Sequence, residues 1–164
     1  MEKINKILND RRFWEYVEKN NNAEKNRRYC KHSFEHLLSV ARIAYILLLE
    51  KGLGSDFSRE TVYASGLLHD IGRWKEYETG EDHALLSAQL SSEILKEAGF
   101  EKSDITSIIG AIKEHRSSED IIKRTLLGDI LHRADTLSRA CWQCPARESC
   151  YKYDKMPAGQ GLLY

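Results

Sequence analysis

Six residues of this chain belong to the types that hold transition metals. They are His36, the adjacent pair His69–Asp70, His83, His115 and Asp135. Imidazole nitrogen and carboxylate oxygen together suit Zn²⁺, Fe, Mn²⁺ or Ni²⁺, and suit a hard ion such as Mg²⁺ less well. Ions held in this way activate water and polarise phosphoryl oxygens. Each residue alone has a plainer explanation. His115 could answer a helix dipole, His83 could be a surface residue of a first turn, and Asp135 could be a paired core carboxylate. The joint series of His, His-Asp, His, His and Asp carries the metal reading, not any one member.

A second set consists of thiols. Cys141, Cys144 and Cys150 follow a C-x₂-C-x₅-C spacing, and Cys30 lies far upstream. Four thiolates could hold zinc or an iron–sulfur cluster, and the sequence does not separate the two. The bland alternative is a group of free, partly buried thiols. The spacing is similar to that of cluster-binding cysteines in some CRISPR-associated nucleases, a likeness of spacing alone.

These residues must be positioned by helices. The two prolines, Pro145 and Pro157, both lie near the C-terminus, so most of the chain is free of the strongest helix breaker. Apolar spacing predicts about six helices, over roughly Lys3 to Lys19, Tyr29 to Lys51, Ser58 to Asp70, His83 to Ala98, Ser103 to His115, and Asp120 to Ala140. A polar loop is expected over Glu76 to Asp82. No run alternates with period two, so the expected fold is all-α, a single-domain helical bundle. Residues 1–140 form the helical domain, and residues 141–164 form a cysteine-containing tail packed on it. Five of the helices then contribute to the His/Asp set, as side chains converge on metal sites inside helix bundles.

Charge and hydropathy restrict the partners. The 25 basic and 25 acidic residues cancel, leaving no net electrostatic footprint for nucleic acid or an anionic membrane. The longest apolar run, Ile43 to Leu49, is far shorter than the roughly 20 residues a spanning helix needs. The polar start, Met1 to Lys6, lacks a signal-peptide core, so the expected location is the cytoplasm, where cysteines stay reduced.

Four segments carry a family resemblance: His36–Ala44, Leu67–Arg73 with its His-Asp-Ile-Gly run, Asp82–Ala88, and Arg133–Ser138. In this order they resemble the HD superfamily of metal-dependent phosphohydrolases, in its HDIG form, from about His36 to Arg139. The resemblance implies that His36, His69, Asp70 and Asp135 hold one divalent transition ion. It implies that His83 and His115 hold a second, with Asp70 bridging. The implied reaction is hydrolysis of a nucleotide or another small phosphate ester or anhydride by metal-activated water. Asp70 and Arg73 are the candidate catalytic residues, with the Arg73 fork suited to phosphate oxygens.

Lys75 and Arg116 are weaker candidates for that contact, and Trp74 and Tyr77 could stack on a base or simply pack. His32 and His132 stand one turn before His36 and Asp135 and could support the site. The cyclic-dinucleotide branch commonly has a second histidine where this chain has Arg116. The diadenosine tetraphosphatases usually have Lys in place of Arg73. Two other readings fit the six ligands: a di-iron oxygenase, which uses the same order, and a nucleotide-binding module without turnover. The oligomeric state is not legible.

Overall fold

A computed structural model describes residues 1–116 and 124–164. The described residues form eight α-helices and four short 3₁₀ turns, with no strand among them. The helices are α1 (Glu2–Asn9), α2 (Arg11–Ala23), α3 (Phe34–Glu50), α4 (Arg59–Leu68), α5 (Arg73–Thr79), α6 (His83–Ala98), α7 (Lys102–Glu114) and α8 (Leu126–Leu137). The all-α expectation holds, and the count of helices changes for two local reasons.

The first expected helix is two helices. Asp10 has an extended backbone (φ −76°, ψ 121°), and its carboxylate accepts the Arg12 N–H at 2.8 Å, capping α2. A continuous apolar stripe concealed this break, because Ile4, Ile7, Phe13 and Val17 all reach the core from either side of it. The second difference is α5, which occupies part of the expected polar loop. It ends where Gly80 takes a left-handed conformation (φ 77°), the usual way for a helix to stop. Few of its residues are apolar, so periodicity gave no sign of it. The second helix also starts later than expected, at Phe34 after the Ser33 cap position, and α7 starts at Lys102 behind Glu101. The sixth helix begins at Leu126, capped by the Thr125 hydroxyl on Gly128 N–H. Its expected beginning at Asp120 lies outside the described residues.

The core is built around α3 and α4. On α3, Leu37, Val40, Ala41, Ala44, Leu47 and Leu48 form a buried apolar face. On α4, Thr61, Val62 and every residue from Ala64 to Leu68 are buried, so this helix is enclosed on nearly all sides. The two helices approach closely at Gly66. A Cβ there would lie 2.6 Å from the Ala41 nitrogen and 2.7 Å from the Ala41 Cβ. This close crossing brings the end of α4, with His69 and Asp70, beside the start of α3, with His36. No described helix is long and apolar enough to cross a membrane.

The 3₁₀ turns Cys141–Gln143, Arg147–Ser149, Tyr153–Lys155 and Pro157–Gly159 make up the C-terminal segment. Its last turn packs against α8 and against the first of these turns. The Tyr164 hydroxyl donates to Glu50 at the end of α3.

Candidate metal centre

The ends of five helices converge on one buried point. His36 comes from the first turn of α3, His69 and Asp70 follow α4, His83 opens α6, His115 caps α7, and Asp135 comes from α8. Two groups of ligand atoms result, each lying within 4.8 Å of one another. One is His36, His69, Asp70 and Asp135; the other is Asp70, His83 and His115. Asp70 belongs to both, through different oxygens. Its Oδ2 faces His69 Nε2 at 3.1 Å and His36 Nε2 at 3.9 Å. Its Oδ1 faces His83 Nε2 at 3.1 Å and His115 Nε2 at 3.6 Å.

Outer hydrogen bonds settle which nitrogen of each histidine turns inward. His69 Nδ1 donates to the Gly66 carbonyl at 2.7 Å, and His115 Nδ1 donates to the Ile112 carbonyl at 2.6 Å. A carbonyl only accepts, so each Nδ1 carries the proton and each Nε2 presents a lone pair. His83 Nδ1 pairs with the Glu76 carboxylate, which likewise only accepts. At His36 the partner of Nδ1 is the Ser138 hydroxyl, at 3.2 Å. That hydroxyl spends its proton on the Asp135 carbonyl at 2.7 Å, so it accepts from His36. Four Nε2 lone pairs therefore point into one space, the arrangement that orients metal-binding imidazoles. His69 Nε2 and Asp70 Oδ1 are buried there without a hydrogen-bond partner. Such groups are costly unless something binds them, and a cation suits both. The residues present fit a divalent metal.

Electrostatics agree. Burial pushes the Asp70 carboxyl up, but the neighbouring His69 and His32 overcome it and hold the group well below the usual carboxylate range. Burial also opposes ionisation of Asp135, and the Arg139 guanidinium beside it prevails, so Asp135 stays ionised. Burial and Arg139 lower His36 to about 4, which keeps its ring neutral and able to ligate.

Several supporting residues carry no recognisable sequence signal. Asn20, fully buried, donates to the Asp70 carbonyl at 2.8 Å and accepts the Trp74 N–H at 2.7 Å. It clamps the turn that carries His69 and Asp70 onto α2. Ser87 accepts the Gly72 N–H at 2.9 Å and ties the same turn to α6. Glu24, buried at 1 % exposure, accepts from His32 N–H at 2.6 Å and from the Tyr77 hydroxyl at 2.7 Å, and it pairs with His32 Nδ1. By the same reasoning as above, His32 turns its Nε2 inward, 3.7 Å from Asp70 Oδ2. His32 is thus a buried neighbour of the ligand set, and His132 anchors α7 by donating to the His115 carbonyl at 2.6 Å.

The proposed phosphate contacts divide. Arg73 lies at the second group, with Nη1 3.0 Å from His83 Nε2 and Nε donating to the Tyr77 hydroxyl at 3.1 Å. Arg116 pairs with Glu76 at 3.0 Å and is half-exposed. Lys75 pairs with Glu78 at 3.6 Å and lies over the Trp74 ring. Tyr77 is occupied by its hydrogen bonds to Arg73 and Glu24. Arg139, just past the end of α8 and four residues after Asp135, reaches both Asp135 and His36 Nε2, the latter at 3.0 Å. The four cysteines are not part of this centre.

Comparison with known proteins agrees with this geometry. The HD domain model matches residues 33–140. The chain belongs to the HD domain family. An uncharacterized protein of Clostridium beijerinckii is 38% identical over 150 residues, covering 92% of both chains. Ribonuclease Y of Geotalea uraniireducens is 29% identical over 112 residues, 68% of this chain but 19% of that protein. The chain thus spans about a fifth of the length of the ribonuclease Y relatives it matches. Among solved structures, a predicted HD superfamily hydrolase from an uncultured Thermotogales bacterium superposes with a TM-score of 0.57. It is 29% identical, and the match covers 76% of this chain and 66% of that one. The HD fold of this protein therefore carries a buried His/Asp cluster able to bind metal.

Proposed function

We propose that this HD domain is a metal-dependent phosphohydrolase that acts on a nucleotide or another small phosphate ester or anhydride at a two-metal site. The observation that supports it best is the division of Asp70. One carboxylate oxygen faces His36 and His69, and the other faces His83 and His115. His36, His69, Asp70 and Asp135 would hold one ion of Fe, Mn, Ni or Zn, and Asp70, His83 and His115 the other. Bound divalent ions supply hydroxide at neutral pH and neutralise charge on phosphoryl oxygens.

The chain's own groups do the rest. Asp70 bridges and orders the two ligand sets. Glu76 holds the His83 ring in one tautomer and orientation. Arg73, whose guanidinium stands beside His83, contacts phosphate oxygens of the substrate and helps to place the phosphorus. Burial of the site excludes bulk water and strengthens each of these interactions. The likeness to ribonuclease Y makes a phosphodiester a natural member of the substrate panel, although the balanced charge favours a small molecule over a nucleic acid.

The test combines metal counting with a substrate panel. Native protein should bind two ions per chain and release phosphate or a nucleoside phosphate from nucleotides, dinucleoside polyphosphates or phosphomonoesters. Short oligoribonucleotides and an oxygen electrode belong in the same experiment. Substrate-dependent oxygen uptake without phosphate release would replace this reading with the di-iron oxygenase. Stable nucleotide binding without turnover would replace it with the binding module. His83→Ala and His115→Ala should each lower the content toward one ion, and unchanged stoichiometry in both would remove the second ion from the scheme.

A further inference from the structure

The four cysteines gather at a second place, next to the metal centre but separate from it. A cavity of about 320 Å³ beside His36 is lined by Cys30, Cys141 and Cys144, together with Lys31, Ser138 and Arg139. All four cysteines are half-buried, and none is in a disulfide. Burial pushes the Cys141 thiol up, and the nearby Cys30, Cys144 and Cys150 push it further. The tight C-x₂-C turn is closed by a Cys144 N–H bond to the Cys141 carbonyl at 3.1 Å, and Cys150 follows the next turn.

The segment carrying Cys30 is tied to the segment carrying the other three on both sides. Tyr29 donates to the Ser149 carbonyl at 3.1 Å, and Arg139 donates to the Lys31 carbonyl at 3.0 Å. Within the tail itself only Ala146 and Ala158 are buried apolar residues. So small a core does not hold an irregular segment in place, and segments of this kind need a staple.

The spacing of the thiols distinguishes two kinds of staple. A single zinc ion bound at about 2.3 Å would draw its four sulfurs to within about 3.8 Å of one another. Among the described residues, the groups of three or more ligand atoms within 4.8 Å of one another are the two histidine–aspartate sets, and no cysteine belongs to either. Cys30, Cys141 and Cys144 instead stand around a cavity, with Cys150 near Cys141. In an iron–sulfur cluster the four thiolates are divided among two or four irons, so no three of them crowd one ion. The cavity wall carries Lys31 and Arg139 against the single carboxylate of Glu35, a net positive lining that would offset part of the negative charge of thiolates and sulfide.

We propose that Cys30, Cys141, Cys144 and Cys150 bind an iron–sulfur cluster that fastens the C-terminal segment to the chain just before α3. The site is independent of the phosphohydrolase reading. The test is to reconstitute the full-length protein with ferrous iron and sulfide without air, then measure iron, acid-labile sulfide and visible absorption. The expected result is two or four labile sulfides per chain with a broad visible charge-transfer band. Sulfide is the decisive quantity, because iron at the histidine–aspartate centre brings none. Cys144→Ser should lose the sulfide and the colour while keeping the metal of that centre. Should that variant prove insoluble, Cys30→Ser, on the other segment, gives the same reading. Absence of labile sulfide in the reconstituted native chain, one zinc per chain competing it away, or sulfide retained in the serine variants would each overturn the proposal.

Discussion

Asp70 is the residue on which the proposed chemistry turns. It is buried, ionised, and shared by both ligand groups. Asp70→Ala should therefore remove both ions and reduce hydrolysis to background, as read by elemental analysis and a single-turnover assay. Native activity in this variant would dissolve the site assignment. Glu76→Gln addresses orientation rather than ligation. It replaces the carboxylate that fixes the His83 ring and should weaken the second ion by about 10- to 100-fold in a metal titration, with the first ion unaffected. Arg73→Ala removes charge-assisted hydrogen bonds of about 1.5–3 kcal/mol, so kcat/KM should fall about 10- to 100-fold with the metal content retained.

Protonation of the same residues shapes stability once the metal is stripped by a chelator. His36 has a folded pKa of about 4, against an ordinary value of 6.5. As the pH falls below 6.5 the unfolded chain takes up a proton that folded His36 refuses until about 4. The folded state should lose about 3 kcal/mol across that window. Asp70 and Asp135, held well below the usual range, extend the loss to lower pH. His69 works the other way: its raised value adds stability at low pH that is lost as the pH rises through it, and it offsets part of the fall. His32, lowered by burial, adds to the fall, so with two lowered imidazoles against one raised the melting temperature of metal-free protein should decline from about pH 7 to about pH 4. A flat or rising profile would contradict these protonation states.

At the scale of the elements, the site depends on how closely α3 and α4 cross. Gly66 allows the approach, since any Cβ would meet the Ala41 backbone, which cannot step aside. Gly66→Ala should separate the helices at the point where His36 faces His69. We expect a loss of about 1–3 kcal/mol in denaturant unfolding and weaker metal binding, although no ligand is altered. Wild-type stability and affinity in this variant would show that the crossing tolerates a methyl group. The short helix α5 serves a comparable purpose. It presents Arg73, Glu76 and Tyr77 on successive turns, where they reach His83 and Glu24.

For the molecule as a whole, the metal is expected to be part of the fold. His69 Nε2 and Asp70 Oδ1 are buried without a hydrogen-bond partner unless a cation binds them, and ligands that bind only the folded state stabilise it by mass action. Exhaustive chelation should lower the thermal midpoint, and Mn²⁺ should restore it. At a free concentration about 100 times the dissociation constant the gain is about 2.7 kcal/mol. An unchanged midpoint would mean that the cluster is held by the scaffold alone.

The candidate metal ligands and the fold class were legible in sequence because each depends on residue type at a repeated or ordered spacing. Apolar residues at helical intervals marked α3, α6 and α7, and histidines at the ends of such stretches had to converge if the stretches packed. What depended on a single backbone bend or on a contact between distant residues was not legible. Asp10 split a helix that periodicity joined, and α5 has too little apolar character to be read. Asn20, which lies just past the expected end of the first helix, reaches 50 positions along the chain to hold the Asp70 carbonyl. Glu24 and Arg139 are ordinary surface types in sequence, and burial beside His32 and His36 gives them their roles. Residue identity determined which atoms could bind a metal. Only the packing of five helix ends decided that the two oxygens of Asp70 face different ligand sets, because that division is a matter of direction in space, which spacing along a chain does not encode.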